Sequence, residues 1–268
     1  MGDRALQAAT GWQYIDFMVA QWLKALTSPR LGSGFSGWLP SRCAICRHWP
    51  SASVCDTCIA QFAQPTARCQ RCALPLPAGK ICGTCLKTPP PLQLCLSATA
   101  YAWPWTDLLA RFKFQAQPGW AGPLATLMRS SHGVEDALAA ADWVLPIPLS
   151  RERLAERGYN PSWLLAQHLC PDKARSQLLL RTRDTPSQRT LPRSERLANV
   201  EGAFAVEPLR AHELHNKRVV LVDDVMTSGA SLHAAARVLH QAGAQHVGAL
   251  VLARTEAHTA ADMETLPF

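Results

Sequence analysis

The chain has 268 residues, 48% hydrophobic and 18% charged, with a formal net charge of +7. That describes a globular protein of one large or two modest domains. No apolar run approaches the ~18–20 residues of a membrane-spanning helix. The start carries no signal-peptide pattern, since Asp16 interrupts its apolar stretch and no small-residue cleavage site follows. The cytoplasm is therefore the default location, and there ten Cys point to metal or packing rather than disulfides. The charge is unevenly placed. Residues 1–100 hold nine Lys/Arg and three Asp/Glu, whereas the remainder is nearly balanced, with eighteen against seventeen. A local basic surface is the electrostatic footprint of a polyanion partner.

In chain order, Trp12, Ile15, Val19, Trp22 and Leu26 form an apolar stripe at helical spacing. A helix is expected over 12–26, docked on the body or, as the alternative, lying on a partner or membrane surface, and Met18 is an alternative start. Residues 28–42, with Pro29, Pro40 and three Gly, read as a linker. Residues 1–40 are thus an N-terminal helix and linker.

Four Cys-x-x-Cys pairs follow: Cys43/Cys46, Cys55/Cys58, Cys69/Cys72 and Cys82/Cys85. A tight turn brings the two sulfurs of one pair to a point, and two pairs complete a tetrahedron around Zn²⁺. Eight residues separate the first two pairs and nine the last two. Consecutive pairing would make two short zinc ribbons; a cross-braced arrangement is the alternative. Two Zn²⁺ are expected in a module over 41–90, which is too short to fold without them. Arg42, Arg47, Arg68, Arg71, Lys80 and Lys87 lie in or beside it, which suggests phosphate contacts. Trp38, Trp49 and Phe62 are candidates either for base stacking or for the small core of the ribbons. Cys95 and Cys170, among apolar neighbours, read as buried small hydrophobes.

Past the Pro-rich connector 87–92, a strand is expected over 97–103 and a helix over 105–114, with Leu108, Leu109 and Phe112 facing in. A further helical stretch covers 123–141, a strand ending in prolines 142–148, and a helix 162–169. Alternating strands and helices imply an α/β sheet. Residues 181–200 are rich in Arg, Thr and Ser and lack a period, as in a functional lid. A strand over 201–206 and a last one over 246–254 complete the series.

One stretch carries most of the chemistry: Arg218-Val-Val-Leu-Val-Asp-Asp-Val-Met-Thr-Ser-Gly-Ala-Ser231. Val219 to Val222 fit a parallel strand covered on both faces. Asp223 and Asp224 stand where that run ends. Thr227, Ser228, Gly229, Ala230 and Ser231 offer hydroxyls and backbone N–H groups before a helix over 230–241 that Gly243 stops. A helix N-terminus of this kind suits phosphate. Carboxylates beside it suit sugar hydroxyls or Mg²⁺. A ribose phosphate combines both. The stretch is neither a Walker A loop nor a Gly-x-Gly-x-x-Gly fingerprint. It resembles the diphosphoribose-binding signature of type I phosphoribosyltransferases.

Together with the four cysteine pairs, the Arg157-Gly158-Tyr159-Asn160 turn, and Gln188, Arg193, Arg196, Asn199 and Gly202-Ala203-Phe204, the chain resembles the ComF family from about residue 40 to 255. The resemblance implies a type I phosphoribosyltransferase-like parallel sheet with helices on both faces over 91–268, preceded by a double zinc-ribbon module. It implies a role in competence, DNA uptake or DNA use. It also implies binding of phosphoribosyl diphosphate and single-stranded DNA, with competence or DNA-processing proteins as partners. The location implied is cytoplasmic, extending to the inner face of the membrane. Asp223 and Asp224 would take the ribose hydroxyls with Mg²⁺, and Thr227, Ser228, Gly229, Ala230 and Ser231 the 5′-phosphate. Residues 148–153 would lie near the pyrophosphate with Arg157 behind them, under a lid at 185–196. The alternative is an active transferase moving ribose 5-phosphate to a nitrogenous acceptor. Against it, no nucleobase-reading hood is evident after the last strand. No catalytic residue is assigned.

Overall fold

Val219, Val220, Leu221 and Val222 are all buried, at 0, 5, 0 and 0% exposure. Each such side chain contributes about 1.5–3 kcal/mol relative to an exposed one. They explain the centre of the molecule. Because side chains alternate along a strand, Val219 and Leu221 join one apolar cluster while Val220 and Val222 join another. The strand therefore needs cover on both faces.

The computed structural model describes residues 41–183 and 202–256. The helix expected over 12–26, most of the linker over 28–42 and the lid over 185–196 lie outside these residues. So do Trp38, Gln188, Arg193, Arg196 and Asn199. Four parallel strands form the main sheet: β1 (Leu94–Ala100), β2 (Trp143–Pro146), β5 (Arg218–Met226) and β6 (His246–Arg254), in the order β1-β6-β5-β2. The antiparallel pair β3 (Leu179–Arg181) and β4 (Phe204–Val206) stands apart.

One face of the sheet is covered by α8 (Ala230–Gln241), whose Leu232, Ala235, Ala236 and Leu239 are buried. The other is covered by α3 (Trp105–Phe114), α4 (Ala121–Arg129), α5 (Val134–Ala140) and α7 (Pro161–Leu169). The parallel sheet with helices on both faces agrees with the sequence expectation. Two details differ. The stretch 123–141 is broken between α4 and α5, where Gly133 takes φ +80°. The strand holding Asp223 and Asp224 does not end before them: β5 pairs with β6 through Met226 opposite Arg254.

The cysteine region packs against this sheet. Its two short helices, α1 (Asp56–Phe62) and α2 (Gly83–Lys87), each begin directly after the first Cys of a pair. No helix among the described residues is long and apolar enough to cross a membrane.

Candidate functional site

The end of β5 collects groups from two other elements. The Lys113 ammonium, one residue from the end of α3, donates to Asp224 Oδ1 at 2.9 Å. The Ser162 hydroxyl at the start of α7 donates to Asp223 Oδ1 at 3.0 Å, and the Asp224 N–H donates to the same oxygen at 2.9 Å. Burial, and then the neighbouring Asp224 charge, push Asp223 from its ordinary 3.8 up to about 7, while Lys113 and the hydrogen bonds oppose the shift. Asp224 is buried, at 7% exposure, whereas Asp223 is half-buried. Two adjacent carboxyls, of which Asp224 alone is paired with an ammonium, are a natural seat for a hydroxyl-rich or cation-bearing ligand.

The Arg157–Asn160 turn joins α6 (Arg151–Arg157), capped by the Ser150 hydroxyl, to α7. Gly158 takes φ +76° at the helix end. Asn160 donates to the Ile147 carbonyl just after β2 and accepts from the Ser162 N–H. The Tyr159 hydroxyl donates to the Phe112 carbonyl of α3. The turn thereby fixes α3, β2 and α7 together. The Arg157 guanidinium lies 4.8 Å from the centre of the Phe114 ring, a cation–π contact. Phe114 is 51% exposed.

On the other side, the loop Thr227–Gly229 leads into α8. Gly229 is the N-cap, with φ +81°. A Cβ there would stand 2.5 Å from Met226 Cε and 3.0 Å from His233 Nε2, so any other residue strains the dihedral and must push Met226 aside. The Ala230 N–H donates to the Ser228 hydroxyl at 3.3 Å. Thr227 is exposed, and Ser228 and Ser231 are half-buried. The geometry thus places Asp223, Asp224 and the 227–231 loop at one end of β5, with the Lys113–Phe114 end of α3 beside Asp224. A separate cleft of about 330 Å³ lies at the opposite strand ends, near Arg218 and His246, and includes none of these residues.

Sequence reasoning passed over Lys113, Ser162 and Arg254. Arg254, at the last position of β6, is 3% exposed and donates to four carbonyls, described further below. A single charge at the end of an apolar run gives no local sign that it turns inward.

The eight paired cysteines form two consecutive tetrads, Cys43/Cys46/Cys55/Cys58 and Cys69/Cys72/Cys82/Cys85, with the sulfurs of each within 4.8 Å of one another. The cross-braced alternative is not what the chain adopts. Sulfur separations of 3.8 Å (Cys43–Cys58), 3.6 Å (Cys46–Cys55) and 3.7 Å (Cys72–Cys82) match the edge of a tetrahedron, about 3.8 Å, built from ~2.3 Å Zn–S bonds. The donor set therefore fits zinc. Backbone N–H groups of Cys55 and Cys82 point at the sulfurs of Cys43 and Cys69, at 3.4 and 3.3 Å. Burial raises the Cys43 thiol, but these and neighbouring N–H groups outweigh it and bring it down to about 6. Cys58 is pushed up to about 12 by burial and by its sulfur neighbours. Crowded sulfurs that cannot all ionise are what a divalent cation relieves.

The six cations of this region divide. Arg42, Arg47, Lys80 and Lys87 are exposed. Arg68 instead pairs with Glu256 at 2.9 Å and donates to the Ala73 carbonyl, and Arg71 donates to the Leu92 carbonyl. These two hold structure together, contrary to the expectation of phosphate contacts. Phe62 meets Trp103 edge-to-face at 5.0 Å, whereas Trp49 is 57% exposed.

Comparison with known proteins agrees with both halves. A family model described as "Double zinc ribbon domain" matches residues 37–86, and one described as "Phosphoribosyl transferase domain" matches residues 164–265. The DNA utilization protein YhgH of Salmonella typhimurium is 32% identical over 234 residues, covering 81% of this chain and 98% of its own length. The chain belongs to the ComF family. Competence protein F of Haemophilus influenzae is 31% identical, covering 80% of this chain and 96% of its own. Competence protein ComFC of Bacillus subtilis is 29% identical, covering 77% and 86%. The ComF chain thus combines a phosphoribosyltransferase domain with two cysteine tetrads suited to zinc, and its relatives are named for competence and DNA utilization.

Proposed function

We propose that this ComF protein binds phosphoribosyl diphosphate at the end of β5 and single-stranded DNA on its zinc-ribbon module, in the uptake or use of external DNA. The observation that carries the first half is the convergence of Asp223, Asp224 and the Thr227–Ser231 loop at one end of one strand. The 5′-phosphate sits against Thr227, Ser228, Gly229, Ala230 and Ser231, at the positive end of α8. The ribose hydroxyls donate to Asp223 and Asp224. Mg²⁺, when bound with the ligand, supplies charge neutralisation of the diphosphate. Arg157 stands at the rim for the diphosphate side. All eight paired cysteines hold zinc, four to each ion.

The DNA half is supported by four exposed cations and exposed Trp49 in the module, and by the names of the relatives. Titration calorimetry with phosphoribosyl diphosphate and Mg²⁺ tests the pocket. Saturable binding by the natural protein, lost in Asp223→Ala/Asp224→Ala, is expected; equal affinity in both removes the assignment.

A transferase reading is favoured by Phe114. Its half-exposed ring, beside Lys113 and Arg157, offers a planar acceptor a face to stack on. A ring nitrogen would then form the bond to C1 as the C1–oxygen bond to pyrophosphate breaks. The acceptor's proton would pass to solvent. Pyrophosphate release with a panel of bases or DNA distinguishes transfer from binding alone.

A further inference from the structure

The two ribbons dock on different layers of the sheet. The first packs Ala44, Val54, Ile59, Phe62 and Ala63 into the cluster of α3, α4 and α7, and the Trp105 indole N–H donates to the Phe62 carbonyl. The second inserts Ala73, 0% exposed, into the cluster that contains Met226 and Ala230. The second is tied directly to the loop between β5 and α8, and Arg254 joins them. Its Nε donates to the Cys72 carbonyl at 2.8 Å. Its Nη1 donates to the carbonyls of Met226, Thr227 and Thr255 at 3.0, 2.5 and 2.7 Å. The rigid fork of a guanidinium holds several carbonyls in one fixed arrangement, which a lysine cannot reproduce.

The consequence for the loop is geometric. In a trans peptide the C=O and the following N–H point in opposite directions. The Met226 carbonyl is held by the Thr255 N–H as well as by Arg254, and the Thr227 carbonyl by Arg254, so the N–H groups of Thr227 and Ser228 face the other side. Two successive outward N–H groups make an anion-binding concavity. If either peptide plane flipped, a carbonyl would face the anion instead. We propose that Arg254 is the positioning residue of this loop. Through the Cys72 carbonyl it makes the binding geometry of Thr227–Ser231 depend on metal in the Cys69/Cys72/Cys82/Cys85 tetrad, and not on metal in the first. The inference rests on reading Thr227–Ser231 as a phosphate site. A ribbon this short has too little core to keep its turn without metal, so loss of the second ion releases Cys72 and, through it, Arg254. By linkage, whatever tightens the loop also tightens the second ribbon.

Amide hydrogen exchange over residues 226–231 and calorimetry with phosphoribosyl diphosphate, each on the full chain with zinc counted, test this. Arg254→Lys retains both ions yet exchanges these amides faster and binds the ligand more weakly, each by about tenfold, the factor that ~1.4 kcal/mol produces. Cys85→Ser loses one ion and behaves likewise. Cys46→Ser also loses one and leaves loop and affinity unchanged. Exchange in Arg254→Lys equal to the natural protein overturns the proposal, as does a loop opened equally by Cys46→Ser and Cys85→Ser. If Cys85→Ser does not fold, Arg254→Lys at full zinc content decides the positioning role, and Cys82→Ser, in the same tetrad, decides the metal dependence. Exchange needs no ligand. A natural protein that shows this pattern but binds no phosphoribosyl diphosphate removes the phosphate reading and leaves the tie standing.

Discussion

Lys113 and Asp224 form an ion pair of 2.9 Å between α3 and β5, with side chains 18% and 9% exposed. Asp224 lies next to a second carboxyl that burial already disfavours in its charged form. Removing the ammonium leaves an uncompensated buried charge, which costs about 3 kcal/mol. Lys113→Met is therefore expected to lower the urea midpoint markedly, and Lys113→Met/Asp224→Asn to recover much of the loss. If the two substitutions add without coupling, the pair is not what stabilises this end of the strand.

Asp223 makes the site pH-dependent. Its folded-state pKa is raised from 3.8 to about 7, by burial first and by Asp224 second. Well below the ordinary value both folded and unfolded chains are protonated there, and the group contributes nothing. Between the two values the unfolded chain has lost the proton and the folded chain keeps it. Stability of the unliganded protein therefore falls as pH rises through that window, and levels off above about 7. A ligand whose hydroxyls donate to the carboxylate follows the opposite trend, binding more tightly as Asp223 ionises. Urea midpoints and ligand affinities measured from pH 5 to 8 should show both slopes, and Asp223→Asn should flatten both. A stability slope that survives in Asp223→Asn would assign it to another group.

The fold was legible where the physics is local. The bounds of α3 and β6 and the buried stripe of α8 follow from apolar spacing and from Gly243. Helix α6 was missed because Arg-Glu-Arg-Leu-Ala-Glu-Arg buries none of its residues, so no apolar stripe marks it. The carboxylates, the loop and the cysteine pairs could be found because each motif is contiguous or closely spaced. Lys113, Ser162 and Arg254 could not. Their roles depend on partners 111, 61 and, for Arg254, 27, 28 and 182 residues away. Arg68 and Arg71 show the same limit, since sequence alone does not tell an inward arginine from a DNA-facing one.

Gly229 is the position where one methyl should separate stability from binding. An Ala there must hold φ +81° and place its Cβ against Met226 and His233. The left-handed conformation alone costs about 1–2 kcal/mol. Met226 Cε can move, so the fold should survive with a lower melting temperature. The loop backbone then shifts, and phosphoribosyl diphosphate binding should fall more steeply than stability. Gly229→Ala/Met226→Ala relieves the contact but not the dihedral, and is expected not to restore binding. Full recovery in that double variant would place the constraint in the side-chain contact instead.

Metal removal should expose the tetrads in a recognisable way. The eight tetrad cysteines become reactive towards a thiol reagent when a chelator strips the zinc. Cys95 is 1% exposed, and burial raises its thiol to about 12. It should stay silent until the sheet unfolds. Two zinc ions released per chain are expected, one for each tetrad. Rapid labelling of all tetrad cysteines before chelation would mean that they hold no metal.

Single-stranded DNA binding should sort the six cations of the ribbon module by where they point. Arg42, Arg47, Lys80 and Lys87 are exposed, Arg42 with one local bond from its Nε to the Arg47 carbonyl, whereas the half-buried Arg68 and Arg71 are engaged with Glu256 and with the Ala73 and Leu92 carbonyls. A phosphate contact releases counterions, so each one lost lowers the slope of log K against log salt by about 0.7 for a single strand. Arg42→Gln/Arg47→Gln should therefore weaken binding and flatten that slope, with the melting temperature nearly unchanged. Arg71→Gln should do the reverse, lowering stability while keeping the slope, because its guanidinium ties the second ribbon to the Leu92 carbonyl. An unchanged slope in the first variant, with affinity intact, would move the DNA path off the first ribbon.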